Sequence, residues 1–182
     1  MIEKNSSMKQ LIDIRLEKLN KLKELGIEPF PHKYNPTYKS IDIINSFDDI
    51  EKQTVCVAGR IMSLRKMGKA SFIHVMDDKG KIQIFIKKDN VGDKIYEAFN
   101  LMDIGDFIGV RGFVFRTKVG EVSISAEKFD VLSKSIRPLP IVKEKEGEIY
   151  DAFKSKELRY RNRHIDLIVN PETRETFIKR TK

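Results

Sequence analysis

The feature that most constrains the fold is an alternation of apolar and polar residues that recurs between residues 55 and 132. Successive side chains of a β-strand point to opposite faces, so this pattern predicts strands with one buried face. A stretch with helical spacing interrupts the strands once. The predicted order is strand, strand, strand, helix, strand, strand, at residues 54–65, 70–77, 81–87, 91–102, 106–116 and 121–132.

This order of elements is that of the OB-fold, a small five-stranded Greek-key barrel that binds oligonucleotides on one face. An unrelated five-stranded barrel or half-sandwich is the competing interpretation, and the helix between the third and fourth strands favours the OB-fold. The predicted fold class is therefore mainly β with flanking helices, and the barrel is assigned to residues 54–133.

The segments that flank the barrel have a different character. Residues 1–30 are predicted to hold an amphipathic helix, because apolar residues recur at spacings of three and four, and Gly26 and Pro29 end it. Residues 31–53 are predicted to be an extended connector. After the barrel we expect a linker at 134–156, then helical segments over 157–182 that are separated at Asn170-Pro171.

Composition narrows the class of protein. Lys and Arg total 35 against 27 Asp and Glu, and a net charge of +8 favours an acidic partner or a solvated mixed surface. No apolar run is long enough for a membrane span, and no secretory signal opens the chain, so we expect a cytoplasmic protein without a membrane partner. Cys56 is the only cysteine and is expected to be a small buried residue.

The candidate binding residues follow from the same alternation. If Ile73, Ile84 and Ile124 point into the barrel, their neighbours point outward. The outward set comprises two aromatics, an imidazole, an amide, a carboxylate and a hydroxyl: Phe72, Phe85, His74, Gln83, Glu121 and Ser123. Aromatic rings stack on unpaired bases, and amides and carboxylates read base edges that a duplex hides. This pattern predicts a single-stranded nucleic acid site.

Basic residues near the first loop extend this prediction. Arg60, Arg65 and Lys69 are placed to contact phosphates, although a solvated loop is an equal alternative for Lys69. The outward aromatics have an alternative as well, in which they pack against a protein partner. The three histidines and one cysteine are too scattered to predict a zinc site.

Several motifs, in this order and spacing, resemble the N-terminal part of the bacterial-type lysyl-tRNA synthetases from about residue 10 to the end of the chain. They are Ala58-Gly59-Arg60-Ile61-Met62, Met67-Gly68-Lys69-Ala70-Ser71-Phe72, Lys81-Ile82-Gln83, Gly120-Glu121-Val122-Ser123, Ile136-Arg137-Pro138-Leu139-Pro140 and Arg159-Tyr160-Arg161-Asn162-Arg163. The aspartyl and asparaginyl enzymes share the barrel and are the alternative. A second alternative is a single-strand binding protein that is unrelated to any ligase.

The resemblance implies that the barrel binds the anticodon of a lysine-accepting tRNA. Phe72 would stack on the central uridine, Gln83 would read it, Arg65 would add a basic contact, and Glu121 would read a neighbouring base. Further RNA contacts are expected at Arg60, Lys69, His74, Phe85 and Ser123.

The family's full-length enzymes use ATP and Mg²⁺ to attach lysine to tRNA, and a homodimer is expected. The later catalytic motifs are absent from these residues. The chain is therefore expected to be a fragment that starts the class II catalytic domain at residue 157, binds tRNA, holds no cofactor and has no catalytic residue.

Overall fold

The computed structural model describes residues 2–140, 143–145, 148–150, 153 and 155–182, and the side chains of residues 8–140, 153 and 155–182. The chain divides into two compact units, Met1–Arg137 and Pro138–Lys182.

A closed five-stranded barrel forms the body of the first unit. Its strands are β1 (Thr54–Met67), β2 (Ala70–Met76), β3 (Lys81–Lys87), β4 (Phe107–Arg116) and β5 (Val122–Ser133). They are hydrogen-bonded in the order β1-β2-β3-β5-β4, with β4 closing back onto β1. The β3–β5 pair is parallel and the other four pairs are antiparallel. The predicted OB-type barrel is confirmed.

The inward positions of the strands fill the barrel with branched aliphatic side chains. Ile73, Ile84 and Ile124, expected to point inward, are fully buried. Phe99 and Met102 add buried side chains from the region between β3 and β4. Apolar burial of this kind is worth roughly 25 cal/mol per Å², so this interior supplies most of the driving force for the fold.

Strand β1 carries a β-bulge between Ile61 and Ser63. Before the bulge, Val57 and Ile61 point inward; after it, Ser63 pairs with His74 and Arg65 pairs with Phe72. A bulge adds one residue to one strand, so the alternation changes phase. The end of β1 therefore presents Ser63 and Arg65 on the same face as the outward residues of β2.

The N-terminal helix α1 spans Ile2–Glu24, and Gly26 follows it with a φ of 69°. Leu22 is fully buried, but polar contacts also attach this helix to the barrel unit. The Arg15 guanidinium donates to the carbonyls of Ser135 at 2.7 Å and Ile104 at 3.0 Å. Met8, Leu11 and Ile14 remain exposed.

The prediction of an extended connector at residues 31–53 is wrong in its second half. Two short helices lie there, α2 (Ser40–Asn45) and α3 (Phe47–Ile50). Ile43, Phe47 and Ile50 are buried in the core at helical spacing. Prolines upstream of residue 37 favour extended backbone there but do not bear on this helical stretch.

Cys56 does not have the apolar role that was expected. It is half-buried, and its Sγ lies 3.0 Å from Tyr34 Oη. Burial, followed by the hydrogen bond with this thiol, raises the pKa of Tyr34. The Tyr34 ring lies over Gly109, where an added Cβ would come within 2.2 Å of the ring, so only glycine fits beneath it.

The helix expected at residues 91–102 is present over a shorter range, and a separate helical turn that was not predicted precedes it. Helix α4 covers Lys88–Val91 and α5 covers Asp93–Asn100. Gly92 separates them with a φ of 83°, a conformation that glycine adopts without strain and that a continuous helix does not contain.

The second unit is described by itself. A short hairpin joins β6 (Lys143–Lys145) and β7 (Glu148–Tyr150) inside the predicted linker, whose residues 141–142, 146–147, 151–152 and 154 lie outside the described part. Three helices follow: α6 (Lys156–Arg161), α7 (Arg163–Val169) and α8 (Pro171–Thr181). The segment expected as one helix at 157–169 is interrupted at Asn162.

The buried carboxylate of Asp166 joins these helices. It accepts from Arg159 Nε at 2.8 Å, from Asn170 Nδ2 at 2.5 Å and from the Arg163 guanidinium. Burial alone would raise the pKa of Asp166, but the hydrogen bonds from Asn170 and Arg159 outweigh it and lower the pKa. The basic run that starts at Arg159 therefore has a packing role in this unit.

Candidate nucleic-acid interface

Strand register arranges the outward side chains of the barrel in two parallel rows. Directly paired residues project to the same side of a sheet, so each row crosses all five strands. The first row, here called the polar row, is Ser63, His74, Gln83, Ser123 and Phe115. The second, here called the aromatic row, is Arg65, Phe72, Phe85, Ser125 and Phe113.

Phenylalanine rings form a continuous surface across the two rows. The ring centroids of Phe72 and Phe85 are 4.9 Å apart, and Phe85 and Phe115 are 6.2 Å apart. Phe72, Phe85 and Phe115 are only half-buried. Rings held by one another in this way present faces on which unpaired bases stack.

Hydrogen bonds connect the polar row through Glu121, which lies just before β5. Ser63 Oγ lies 2.8 Å from His74 Nδ1, and His74 Nε2 lies 3.0 Å from Glu121 Oε1. Gln83 Nε2 donates to Glu121 Oε2 at 2.6 Å, and Ser123 Oγ donates to Gln83 Oε1 at 2.9 Å. The Glu121 carboxylate therefore joins residues from two strands, His74 of β2 and Gln83 of β3.

Exposure within the polar row differs from what alternation alone predicts. Gln83 and Ser123 lie on the outward face, but Gln83 is only 9% exposed and Ser123 is fully buried. Their neighbours Glu121 and His74 keep 44% and 38% of their side chains exposed. Ser63 and His74 are therefore accessible members of the polar row, and Glu121 is accessible beside it. The buried Ser123 donates a hydrogen bond that supports Gln83.

A groove of about 870 Å³ lies over both rows. It is lined by all four residues predicted as the main site, Arg65, Phe72, Gln83 and Glu121, and by two of the additional ones, His74 and Phe85. The lining is larger than the predicted set and also includes Ser63, Leu64, Phe115, Thr117, Lys118 and Val119.

Phe115 is the most important of the residues that sequence reasoning missed. The signal was present, because Val114 is an inward residue of the fourth strand and its neighbours must point outward. Thr117, Lys118 and Val119 belong to the β4–β5 turn next to Glu121, where Val119 is exposed and Thr117 Oγ1 accepts from the Glu121 backbone amide at 3.0 Å.

Three predicted RNA contacts do not line the groove: Ser123, which is fully buried, Arg60 and Lys69. Arg60 donates to the Gly105 carbonyl at 2.9 Å, and its guanidinium stacks 4.2 Å from the Phe107 ring centroid. Burial lowers the pKa of Arg60. Lys69 lies in the β1–β2 turn and does not line the groove. Arg65 is thus the basic residue of β1 that lines the groove.

Within the described residues, no group of three or more His, Cys, Asp or Glu side chains is arranged to hold a metal ion. Across the same ranges of the chain, no helix combines the length and apolarity that crossing a bilayer requires.

Comparison with known proteins connects this face to a family. Residues 55–132 match the tRNA anti-codon family, described as OB-fold nucleic acid binding domains. Over 179 residues, 98% of this chain, the sequence is 45% identical to the lysine–tRNA ligase of Pelotomaculum thermopropionicum and covers 34% of it. It is 44% identical over 178 residues to the lysine–tRNA ligase of Carboxydothermus hydrogenoformans, 35% of which it covers.

The chain spans about a third of the length of these curated relatives. The matched residues 55–132 coincide with the barrel and include Arg65, Phe72, Gln83 and Glu121. Residues 55–132 of this chain are therefore similar to the tRNA anti-codon family of OB-fold nucleic acid binding domains, and the similarity covers the barrel.

Proposed function

We propose that the barrel binds the anticodon loop of a lysine-accepting tRNA in the groove over the polar and aromatic rows. The observation that carries the proposal is the pairing of adjacent, half-exposed rings, Phe72 and Phe85 with centroids 4.9 Å apart, with the Glu121 carboxylate on one face of the family-matched barrel. A single-stranded loop offers both base faces and base edges, which fit these two kinds of side chain. The relatives' name, lysine–tRNA ligase, supports lysine as the cognate amino acid.

Gln83 is the residue that we propose reads the central base. A side-chain amide has two N–H donors and two acceptor lone pairs. Glu121 takes one donor and Ser123 occupies one acceptor position. One N–H and one lone pair remain, and they match the O4 and N3–H of uracil, whereas cytosine reverses both groups.

Affinity is proposed to come from stacking and charge rather than from base reading. Stacking is worth roughly 1–3 kcal/mol per base and does not select the base. Arg65 and Lys118 bring positive charge to the rim of the groove, where they would meet backbone phosphates.

We also propose that the longer protein to which these residues would belong is a cytoplasmic, homodimeric lysine–tRNA ligase. ATP and Mg²⁺ would serve its catalytic portion, and none of the described residues is assigned to them. In this proposal, the barrel selects the tRNA and another part of the protein performs the aminoacylation.

The proposal is tested by titrating the chain with fluorescently labelled anticodon stem-loops. A loop from a lysine-accepting tRNA is expected to bind about tenfold or more tightly than the same loop with cytidine in place of its central uridine. The expected factor corresponds to a mismatched hydrogen bond at a desolvated edge, roughly 1–3 kcal/mol. Equal affinity for both loops and for an unrelated single strand would replace the proposal with non-specific single-strand binding.

A further inference from the structure

We propose that Glu121 and His74 lock the Gln83 amide in one orientation, and that this lock gives the groove its selectivity for uracil over cytosine. The inference rests on the proposed function and assigns a role that Gln83 cannot fill alone. It makes His74 a positioning residue, which acts through Glu121.

An unrestrained glutamine amide is ambiguous as a reader of pyrimidines. Uracil presents an acceptor at O4 and a donor at N3, and cytosine presents a donor at N4 and an acceptor at N3. A rotation that exchanges Oε1 and Nε2 converts an amide that fits one base into an amide that fits the other. Discrimination therefore requires something that fixes which end of the amide points where.

Glu121 supplies that constraint, because an ionised carboxylate can only accept hydrogen bonds. The atom of Gln83 that lies 2.6 Å from Glu121 Oε2 must then be the amide nitrogen. Ser123 Oγ is 2.9 Å from the other end of the amide and donates to Oε1. The reversed orientation would bring Oε1 against a carboxylate oxygen, which is repulsive.

His74 in turn holds Glu121 in place. Its Nε2 lies 3.0 Å from Glu121 Oε1, and its Nδ1 lies 2.8 Å from Ser63 Oγ. Glu121 is otherwise accessible, with 44% of its side chain exposed, and lies beside the β4–β5 turn. Without His74 the carboxylate is free to turn toward solvent, and the constraint on Gln83 weakens.

The test measures the ratio of affinities for two stem-loops that differ only in a central U or C, in variants whose folding is checked by thermal unfolding. Glu121→Gln replaces an acceptor with a group that also donates, so Gln83 can adopt both orientations. We expect its U-over-C ratio to fall from about tenfold or more to near unity. His74→Leu is expected to lower the ratio part of the way.

Rescue and matched controls separate positioning from a general structural effect. His74→Gln retains an N–H near the position of Nε2, so we expect it to restore the ratio that His74→Leu loses. His32→Leu, the same change at an exposed histidine away from the groove, should leave the ratio unchanged.

A ratio that stays at the wild-type value in both Glu121→Gln and His74→Leu would overturn the lock, as would an equal loss of affinity for both loops. A wild-type protein that does not distinguish the loops would overturn the proposed function as well. The two failures are therefore distinguishable.

Discussion

The barrel unit carries two charged networks that have opposite relations to solvent. In the groove, Glu121 and His74 are well exposed, and their partners come from three neighbouring strands. The other network, here called the buried ionic cluster, consists of Lys134, Asp103 and Asp106 with Arg15 and Lys18 of α1. Lys134 is fully buried and lies 2.6 Å from both Asp103 Oδ2 and Asp106 Oδ2.

The difference in exposure assigns the two networks different roles: the network in the groove is available to a ligand, and the buried ionic cluster holds the fold together. The buried ionic cluster is saturated, because Asp106 also accepts from the backbone amides of Asp103 and Ser135 at 2.8 Å. Lys18 and Arg15 attach α1 to it and to the neighbouring carbonyls. The Lys134 and Asp106 side chains have no exposed surface that a ligand could contact, whereas Glu121 and Gln83 line the groove.

The largest expected effect is the loss of stability caused by a substitution in the buried ionic cluster. Lys134→Met leaves the Asp103 and Asp106 carboxylates without their shared cation, and breaking a buried pair costs about 3–5 kcal/mol. We expect the free energy of unfolding to fall by that amount in urea titrations. Lys128→Met is the matched control, because Lys128 is exposed and 3.6 Å from Asp130, and should cost less than about 1 kcal/mol.

The next largest effect is the loss of RNA affinity caused by a substitution in the groove. Phe72→Ala removes a stacking face, so we expect RNA binding to weaken by roughly 1–3 kcal/mol while the unfolding free energy changes less than in Lys134→Met. Phe113→Ala is its control, since Phe113 belongs to the aromatic row but does not line the groove. Equal losses of affinity in the two variants would contradict the placement of the binding site.

Two arginines of β1 sharpen the comparison further. Arg65 lines the groove, so Arg65→Ala should reduce the slope of log affinity against log salt by about 0.7, the value for one contact to a single-stranded phosphate. Arg60 is engaged with Gly105 and Phe107, so Arg60→Ala should lower stability and leave that slope unchanged. An unchanged slope in Arg65→Ala would contradict the prediction that Arg65 contacts a phosphate.

The smallest expected effect is on acid stability. Burial acts to raise the pKa of Asp103, but hydrogen bonds from Lys134 and Lys18 outweigh it, so the pKa lies below the usual value near 3.9. A lowered folded-state pKa contributes stability above the unfolded value, and this contribution is lost as pH falls through the folded-state pKa.

We therefore expect the contribution of Asp103 to be complete at neutral pH and to disappear below about pH 4. Asp103→Asn should show a shallower loss of stability over that range in urea titrations at stepped pH. An identical acid profile in Asp103→Asn and the wild-type chain would contradict this assignment.

The sequence predicted the binding face better than the connections around it. Alternation in β2 and β3 identified Phe72, His74, Gln83 and Phe85 because those strands are regular over the whole pairing. The helices at residues 40–50 were not predicted, because two short helices are stabilised by burying Ile43, Phe47 and Ile50 rather than by local propensity. Gly92, with its positive φ, separates the predicted helix from a preceding helical turn that was not predicted.

The order of strands, the inward aliphatic residues and the chemistry of the outward ones were determined by the sequence itself, since a period of two follows from strand geometry alone. Tertiary structure decided the rest. The bulge at Met62 turned Arg65 toward the groove, and the parallel β3–β5 pairing brought Gln83 beside Ser123. Glu121 reaches His74 across a separation of 47 residues. Contacts between residues so far apart in sequence depend on closure of the barrel, and a local sequence pattern does not predict that closure.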